Sequence, residues 1–140
     1  MGAGRLVATA MMLVVTVTAV ELTAATPGFA GALREGATKP TQLVLTVAKG
    51  ESARPAQRRA SLTCAPAGGT HKQARKACTE LAKVGGNFDK LQLKGGLCTM
   101  QWDPVTVTAT GRWKGKKVGY THTFGNTCTL ATTTGAVFGI

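Results

Sequence analysis

The sequence predicts an α+β domain, an antiparallel sheet of about five strands with one good helix packed on one face. Three observations carry that reading. Valine- and threonine-rich stretches alternate apolar and polar residues with the period of a strand. One stretch after Thr70 repeats its apolar residues at helical spacing instead. Glycine, proline and charge clusters separate these segments as turns and connections do.

The chain has 140 residues, enough for one domain. It opens with Arg5 and an apolar run, Leu6–Val20, too short and wrongly flanked for a spanning helix. Small residues follow, and "AGA" at Ala30–Ala32 fits the small-x-small pattern of a signal-peptidase site. Residues 1–32 are expected to be a secretory signal and 33–140 the exported domain. Phe29–Ala30 offers a second cleavage point, and Glu21 is an awkward charge after the apolar run.

Residues 33–41 form a loose lead-in. Gln42–Val47 is the first strand, with Leu43, Leu45 and Val47 on one face and Val44 on the other. Lys49–Arg59 is an exposed connection, Ala60–Cys64 a second strand, and "APAGG" (Ala65–Gly69) a turn. The helix is expected to start at Thr70, with Thr70 and Gln73 as its capping box. Ala74, Ala77, Cys78, Leu81 and Val84 share its inner face, Lys72, Arg75, Lys76, Thr79 and Lys83 its outer face, and Gly85-Gly86 stops it.

In Val105–Trp113, Val105, Val107 and Ala109 point one way and Thr106, Thr108 and Thr110 the other. Lys114-Gly115 turns the chain, and Lys117–Phe124 returns with Val118, Tyr120 and His122 on one face. Ala136–Ile140 reads as a final strand. One helix covers one face only, so Val44 and Trp113 are expected to leave an apolar patch on the other. Two such faces stacked about a two-fold axis would bury it.

The formal net charge is +11, and 33–140 keep all of it because Arg5 and Glu21 cancel. The basic residues are dispersed among Arg58-Arg59, Lys72–Lys76 and Lys114–Lys117 with no nucleic-acid-binding motif, which points to a basic secreted surface rather than a nucleic-acid partner. After residue 32 the serines are Ser52 and Ser61, the histidines His71 and His122, the aspartates Asp89 and Asp103. No G-x-S-x-G, phosphate-loop or H-E-x-x-H pattern accompanies them, so neither an enzyme nor a cofactor is expected. His71 reads as a first-turn surface residue and His122 as a strand residue with an ordinary hydrogen-bond partner.

The cysteines, Cys64, Cys78, Cys98 and Cys128, are even in number, which in an exported domain implies two disulfides with three connectivities open. No C-x-x-C pair supports a zinc site. One segment resists a purely structural reading. In "GGLCTMQWDP" (Gly95–Pro104), Met100 and Trp102 could alternate into a core. Yet Gly95-Gly96 and Asp103-Pro104 fence the segment, a bridged Cys98 would pin its base, and Pro104 fixes its exit. Such a clamped, extended loop offering large side chains is similar to the binding loop of a substrate-like serine protease inhibitor.

"LTCAPAGGTH" (Leu62–His71), "KACTELAKVGG" (Lys76–Gly86), "CTMQWDPVTVTATGRWKG" (Cys98–Gly115) and "TFGNTC" (Thr123–Cys128), in that order, resemble the subtilisin-inhibitor-like family of secreted bacterial protease inhibitors. The resemblance implies a five-stranded antiparallel sheet with two α-helices, usually homodimeric. It implies sequential bridges, Cys64–Cys78 and Cys98–Cys128. It makes Met100 the primary specificity residue (P1) and Met100–Gln101 the scissile bond, with Leu97, Cys98, Thr99, Trp102 and Asp103 in the protease-contact loop. The implied activity is inhibition of subtilisin-like serine proteases, without cofactor, metal, nucleic acid or, once the signal is removed, membrane. The competing expectation is a cationic extracellular interaction protein of the same fold, for example one cross-linked through Gln101, Gln92 or its lysines. Trp102 stands where tyrosine is commoner in the family, and Lys72 follows His71 where proline is usual.

Overall fold

The structure, a computed structural model, describes residues 39–93 and 95–140. The expected signal segment 1–32 and most of the lead-in lie outside these residues, as does Lys94.

Strand β1 (Thr41–Lys49) lies at the centre of the sheet, and its alternation decides which face is core. Leu43, Leu45 and Val47 are buried, while Gln42, Val44 and Thr46 face the other way. The sheet is antiparallel and five-stranded, in the order β3-β2-β1-β4-β5, with β2 Arg58–Cys64, β3 Gly68–Gly69, β4 Val105–Trp113 and β5 Lys116–Phe124. In this register Leu43 lies beside Leu62, Leu45 between Ala60 and Ala109, and Val47 beside Val107. Cross-strand neighbours therefore place one apolar row on one face.

Helix α1 (Ala74–Lys83) and helix α2 (Thr127–Thr134) cover that face, with Ala77, Leu81 and Leu130 joining the core. Burying a leucine of this kind contributes about 1.5–3 kcal/mol. A 3₁₀ turn at Phe88–Lys90 adds Phe88, whose ring stacks on Tyr120 at 5.3 Å between centroids. Burial there pushes the Tyr120 phenol up to about 12, and the nearby Asp89 carboxylate acts in the same direction. The α+β architecture of five antiparallel strands and two helices is thus the expected one, but four details differ.

First, the fifth strand is the Gly68–Gly69 bridge on β2 rather than the C-terminal segment. Ala136, Val137 and Phe138 are buried, yet they turn beneath the helices after Gly135 and pair with no strand. Second, the helix begins at Ala74, and the Thr70–Gln73 box is not made. Thr70 Oγ1 instead accepts the Ser61 N–H at 2.9 Å, tying the approach to β2. Third, His71 is buried rather than on the surface. Its Nδ1 accepts the Gln73 N–H and its Nε2 donates to the Val137 carbonyl, both at 3.0 Å. His122 is exposed on β5, with the Phe124 ring met edge-on at 4.5 Å and the Tyr120 ring stacked at 6.1 Å between centroids, in place of the expected hydrogen-bond partner.

Fourth, Trp113 belongs to the core and not to the uncovered face. Helix α1 ends in a Schellman turn, Gly86 N–H to Leu81 O at 2.8 Å and Gly85 N–H to Ala82 O at 3.1 Å, with both glycines at positive φ. Gly86 then lies directly under the Trp113 ring, where any Cβ would overlap it. The face without helices carries Val44 and threonines in a hollow walled by Arg59 and the Ala53–Ala56 connection; Thr46 and Thr108 pair across β1 and β4 through their hydroxyls at 2.6 Å.

The bridges run in sequence order. Cys64–Cys78 (Cα–Cα 5.8 Å) ties β2 to α1, and Cys98–Cys128 (5.7 Å) ties the segment before β4 to α2.

Candidate reactive loop

The chain leaves the core at Leu91 and re-enters it at Val105, and between them the described residues are neither helix nor strand. Here Leu97 is 105 % exposed, Met100 97 % and Trp102 65 %. A domain that buries its other large apolar side chains this well has no folding reason to leave three together in water. Gln101 and Thr99 are exposed beside them, while Cys98 and Asp103 are half-buried.

Polar and covalent ties hold this loop in place of packing. On its entry side Leu93 N–H donates to Thr133 O at 3.1 Å, and Cys98 is bonded to Cys128 in the first turn of α2. On its exit side Asp103 N–H donates to Gly125 O at 2.9 Å and Gly50 N–H to Pro104 O at 2.7 Å. Lys49 Nζ lies 3.0 Å from Asp103 Oδ1, an exposed pair worth at most about 1 kcal/mol.

The centre is held by a residue the sequence reading did not single out. Asn126 Nδ2 donates to the carbonyls of Thr99 and Gln101, each at 3.0 Å, and so spans Met100. The Asn126 Oδ1 accepts Thr129 N–H at 2.9 Å, and Thr129 Oγ1 accepts Asn126 N–H at 3.2 Å, a complete capping box. One carboxamide therefore starts α2 with its oxygen and holds the loop with its nitrogen. The sequence signal was Asn126-x-x-Thr129 beside Cys128, a helix start hidden in a threonine-rich tail.

The expected loop residues thus come together in one exposed, braced segment. The serines and histidines do not assemble with an aspartate: Ser61 is bonded to Thr70 and His71 to Val137.

Residues 39–126 match the family described as subtilisin inhibitor-like. The chain belongs to that family. It is 48 % identical over 103 residues to "Protease inhibitor SIL-V2" of Streptomyces orinoci, covering 71 % of this chain and 94 % of that one. It is 45 % identical over 104 residues to "Transglutaminase-activating metalloprotease inhibitor" of Streptomyces mobaraensis, covering 71 % and 70 %. Among solved structures it is similar to Streptomyces caespitosus sermetstatin, crystallised in complex with Bacillus licheniformis subtilisin. The TM-score is 0.62 and the identity 35 %, over 72 % of this chain and 99 % of that one. The family is made of protease inhibitors, not enzymes. No helix among the described residues is long and apolar enough to cross a membrane.

Proposed function

We propose that this subtilisin-inhibitor-like chain is a secreted inhibitor of subtilisin-like serine proteases, that residues 1–32 are its removable signal, and that the loop around Met100 is its reactive site. The observation that carries the reading is Met100 itself. Its side chain stands in solvent while the carbonyls on both sides of it are fixed by one amide nitrogen.

A protease would receive Leu97–Asp103 as an extended strand, with Met100 in its specificity pocket and Met100–Gln101 at its nucleophile. Attack on the Met100 carbonyl forms an acyl-enzyme, as with any substrate. The difference lies in what happens next. Cys98–Cys128 holds the acyl side, Asp103 N–H on Gly125 O holds the amine side, and Asn126 bonds both. The Gln101 amine therefore stays beside the acyl carbon, and rejoining the bond outruns release. Because the loop is already ordered, little rotamer and backbone entropy is lost on binding.

Titration of subtilisin, chymotrypsin and trypsin with the purified protein tests this. Stoichiometric inhibition of subtilisin is expected, with weak inhibition of trypsin because methionine offers no cation to an acidic pocket. Met100→Gly should weaken subtilisin binding at least about 30-fold, the loss of a central anchor, and Met100→Lys should shift the balance toward trypsin. Unchanged inhibition by Met100→Gly rules the loop out.

The uncovered sheet face supports a second part of the proposal, a homodimer stacked through Val44, Thr46, Thr108 and Thr110. Both helices lie on the opposite face, so pairing leaves each loop free. Sedimentation should give two chains per particle and two proteases bound per dimer; a single-chain mass overturns it.

A further inference from the structure

The turn between β4 and β5 carries a group of cations outside the loop, of which only Lys114 meets the core, its Nζ lying 5.9 Å from the centroid of the Trp113 ring. Lys114 and Gly115 close the hairpin at φ 46° and φ 81°, a two-residue turn with both residues left-handed. Arg112, Lys116 and Lys117 stand exposed beside it, and the stem of Lys39 lies over Gly115. The backbone is held: Lys114 N–H donates to Thr41 Oγ1 and Arg112 Nη1 donates to Gly115 O, each at 3.0 Å. Arg112 and Lys117 are direct cross-strand partners, a like-charge pairing that costs a sheet stability. Among the described residues the single ion pair, Lys49–Asp103, is at the other end of the molecule beside the loop, so no carboxylate offsets this cluster.

What such a tip recognises follows from what it lacks. Trp113 is buried, so no aromatic is offered for base stacking. Among the described residues the exposed large apolar side chains are Leu97, Met100 and Trp102, all on the loop, so the tip offers none to a bilayer. Charge alone remains. Lysine ammoniums are point charges with freely turning donors, suited to successive phosphates of a chain whose geometry is not fixed. Strand β4 begins at the loop's exit and ends at this turn, and its length separates the two by roughly 30 Å.

We infer that the β4–β5 tip is a docking surface for a flexible linear phosphate polymer, bound through Lys39, Arg112, Lys114, Lys116 and Lys117. It holds the protein on a phosphate-rich matrix while the Met100 loop faces away. This stands apart from the inhibition reading, because the two are measured separately.

The probe is long-chain inorganic polyphosphate, and the readout is affinity across a salt series. Binding should fall steeply with salt as counterions are released. The variant Lys39→Glu/Lys114→Glu/Lys116→Glu should bind at least about tenfold more weakly at about 0.1 M salt. Lys72→Glu/Arg75→Glu/Lys76→Glu, at and just before the start of α1, changes net charge equally and should stay within about twofold of the parent. The corresponding glutamine variants give the same order with milder substitutions, and the circular dichroism spectrum and thermal midpoint of each report that the fold is intact. Equal loss in both sets assigns the binding to overall charge and overturns the proposal, as does full binding by the hairpin variant. Tighter hairpin-dependent binding to single-stranded DNA or to phosphatidylglycerol vesicles than to polyphosphate overturns the partner assigned.

Discussion

Two disulfides of nearly equal reach, 5.8 and 5.7 Å between Cα atoms, hold opposite kinds of surface. Around Cys64–Cys78, helix α1 is already pressed onto β2 by Leu62, Ala77 and Leu81, all fully buried. That bridge adds to a contact that burial has made. Around Cys98–Cys128 the large side chains point into water, and covalent and polar ties do what burial does elsewhere. Order obtained by burial uses up the side chains that make it. Order obtained by tying the main chain leaves them free for another molecule.

The largest break in this contrast comes from removing each bridge. Chain-entropy arguments assign about 3 kcal/mol to the shorter loop and about 4 to the longer, so Cys64→Ser/Cys78→Ser and Cys98→Ser/Cys128→Ser should lower thermal stability similarly. Their effect on the loop should differ. Subtilisin should cleave Met100–Gln101 at least about tenfold faster only when Cys98–Cys128 is gone, since only then does local opening release one new end. Mass spectrometry of timed digests measures it; equal acceleration in both variants would erase the distinction.

Asn126→Asp sharpens the contrast at one atom. Aspartate caps a helix about as well as asparagine, so stability should change by less than about 1 kcal/mol. The donor to Thr99 O and Gln101 O is lost, two hydrogen bonds of about 0.5–1.5 kcal/mol each, so inhibition should weaken about tenfold or more. Asn126→Ala should lose the same inhibition and about 1 kcal/mol of stability besides. Thermal midpoints set beside inhibition constants separate the two roles.

The smallest effect belongs to the packed half. Tyr120 is the only tyrosine, so its phenolate absorbance reports one site. Its folded pKa of about 12 lies above the ordinary 10.0, so the unfolded chain gives up this proton first. Stability from this group is present below pH 10 and is lost as pH rises toward 12. The loss should be small, because the ring is only half-buried. Phe88→Leu, which opens one side of the phenol, should bring the titration back toward 10.

The sheet was legible because its strands carry side chains that alternate. Leu43, Leu45 and Val47, then Val105, Val107 and Ala109, declare the buried face without help from the rest of the chain. Strand β3 was not, since Gly68 and Gly69 have no side chains to show a period. Helix α2 was hidden for the opposite reason. Its TCTLATTT is rich in β-branched threonine, poor in helix propensity, and is held by Asn126 and Cys128 at its start. Ala136–Phe138 had the composition of a strand but packs as core, and a short apolar run does not distinguish the two. The burial of Trp113 does not show in the sequence, because the space above Gly86 is a tertiary fact. For the loop, the fencing residues marked the segment and its exposed side chains. The clamp across it depends on a residue distant in sequence, so it showed only in three dimensions.

Asn126 grips carbonyl oxygens, which every residue has, and never the side chain between them. Position 100 is consequently interchangeable. The scaffold senses only the peptide groups there, so nearly any residue other than proline or glycine should fit at little cost to the fold. On the proposed reading of the loop, a lineage of such chains can move from one target enzyme to another by single changes at Met100, each intermediate remaining folded and braced. Variation confined to this site is then a record of the enzymes met, written on a frame that has no reason to change with them.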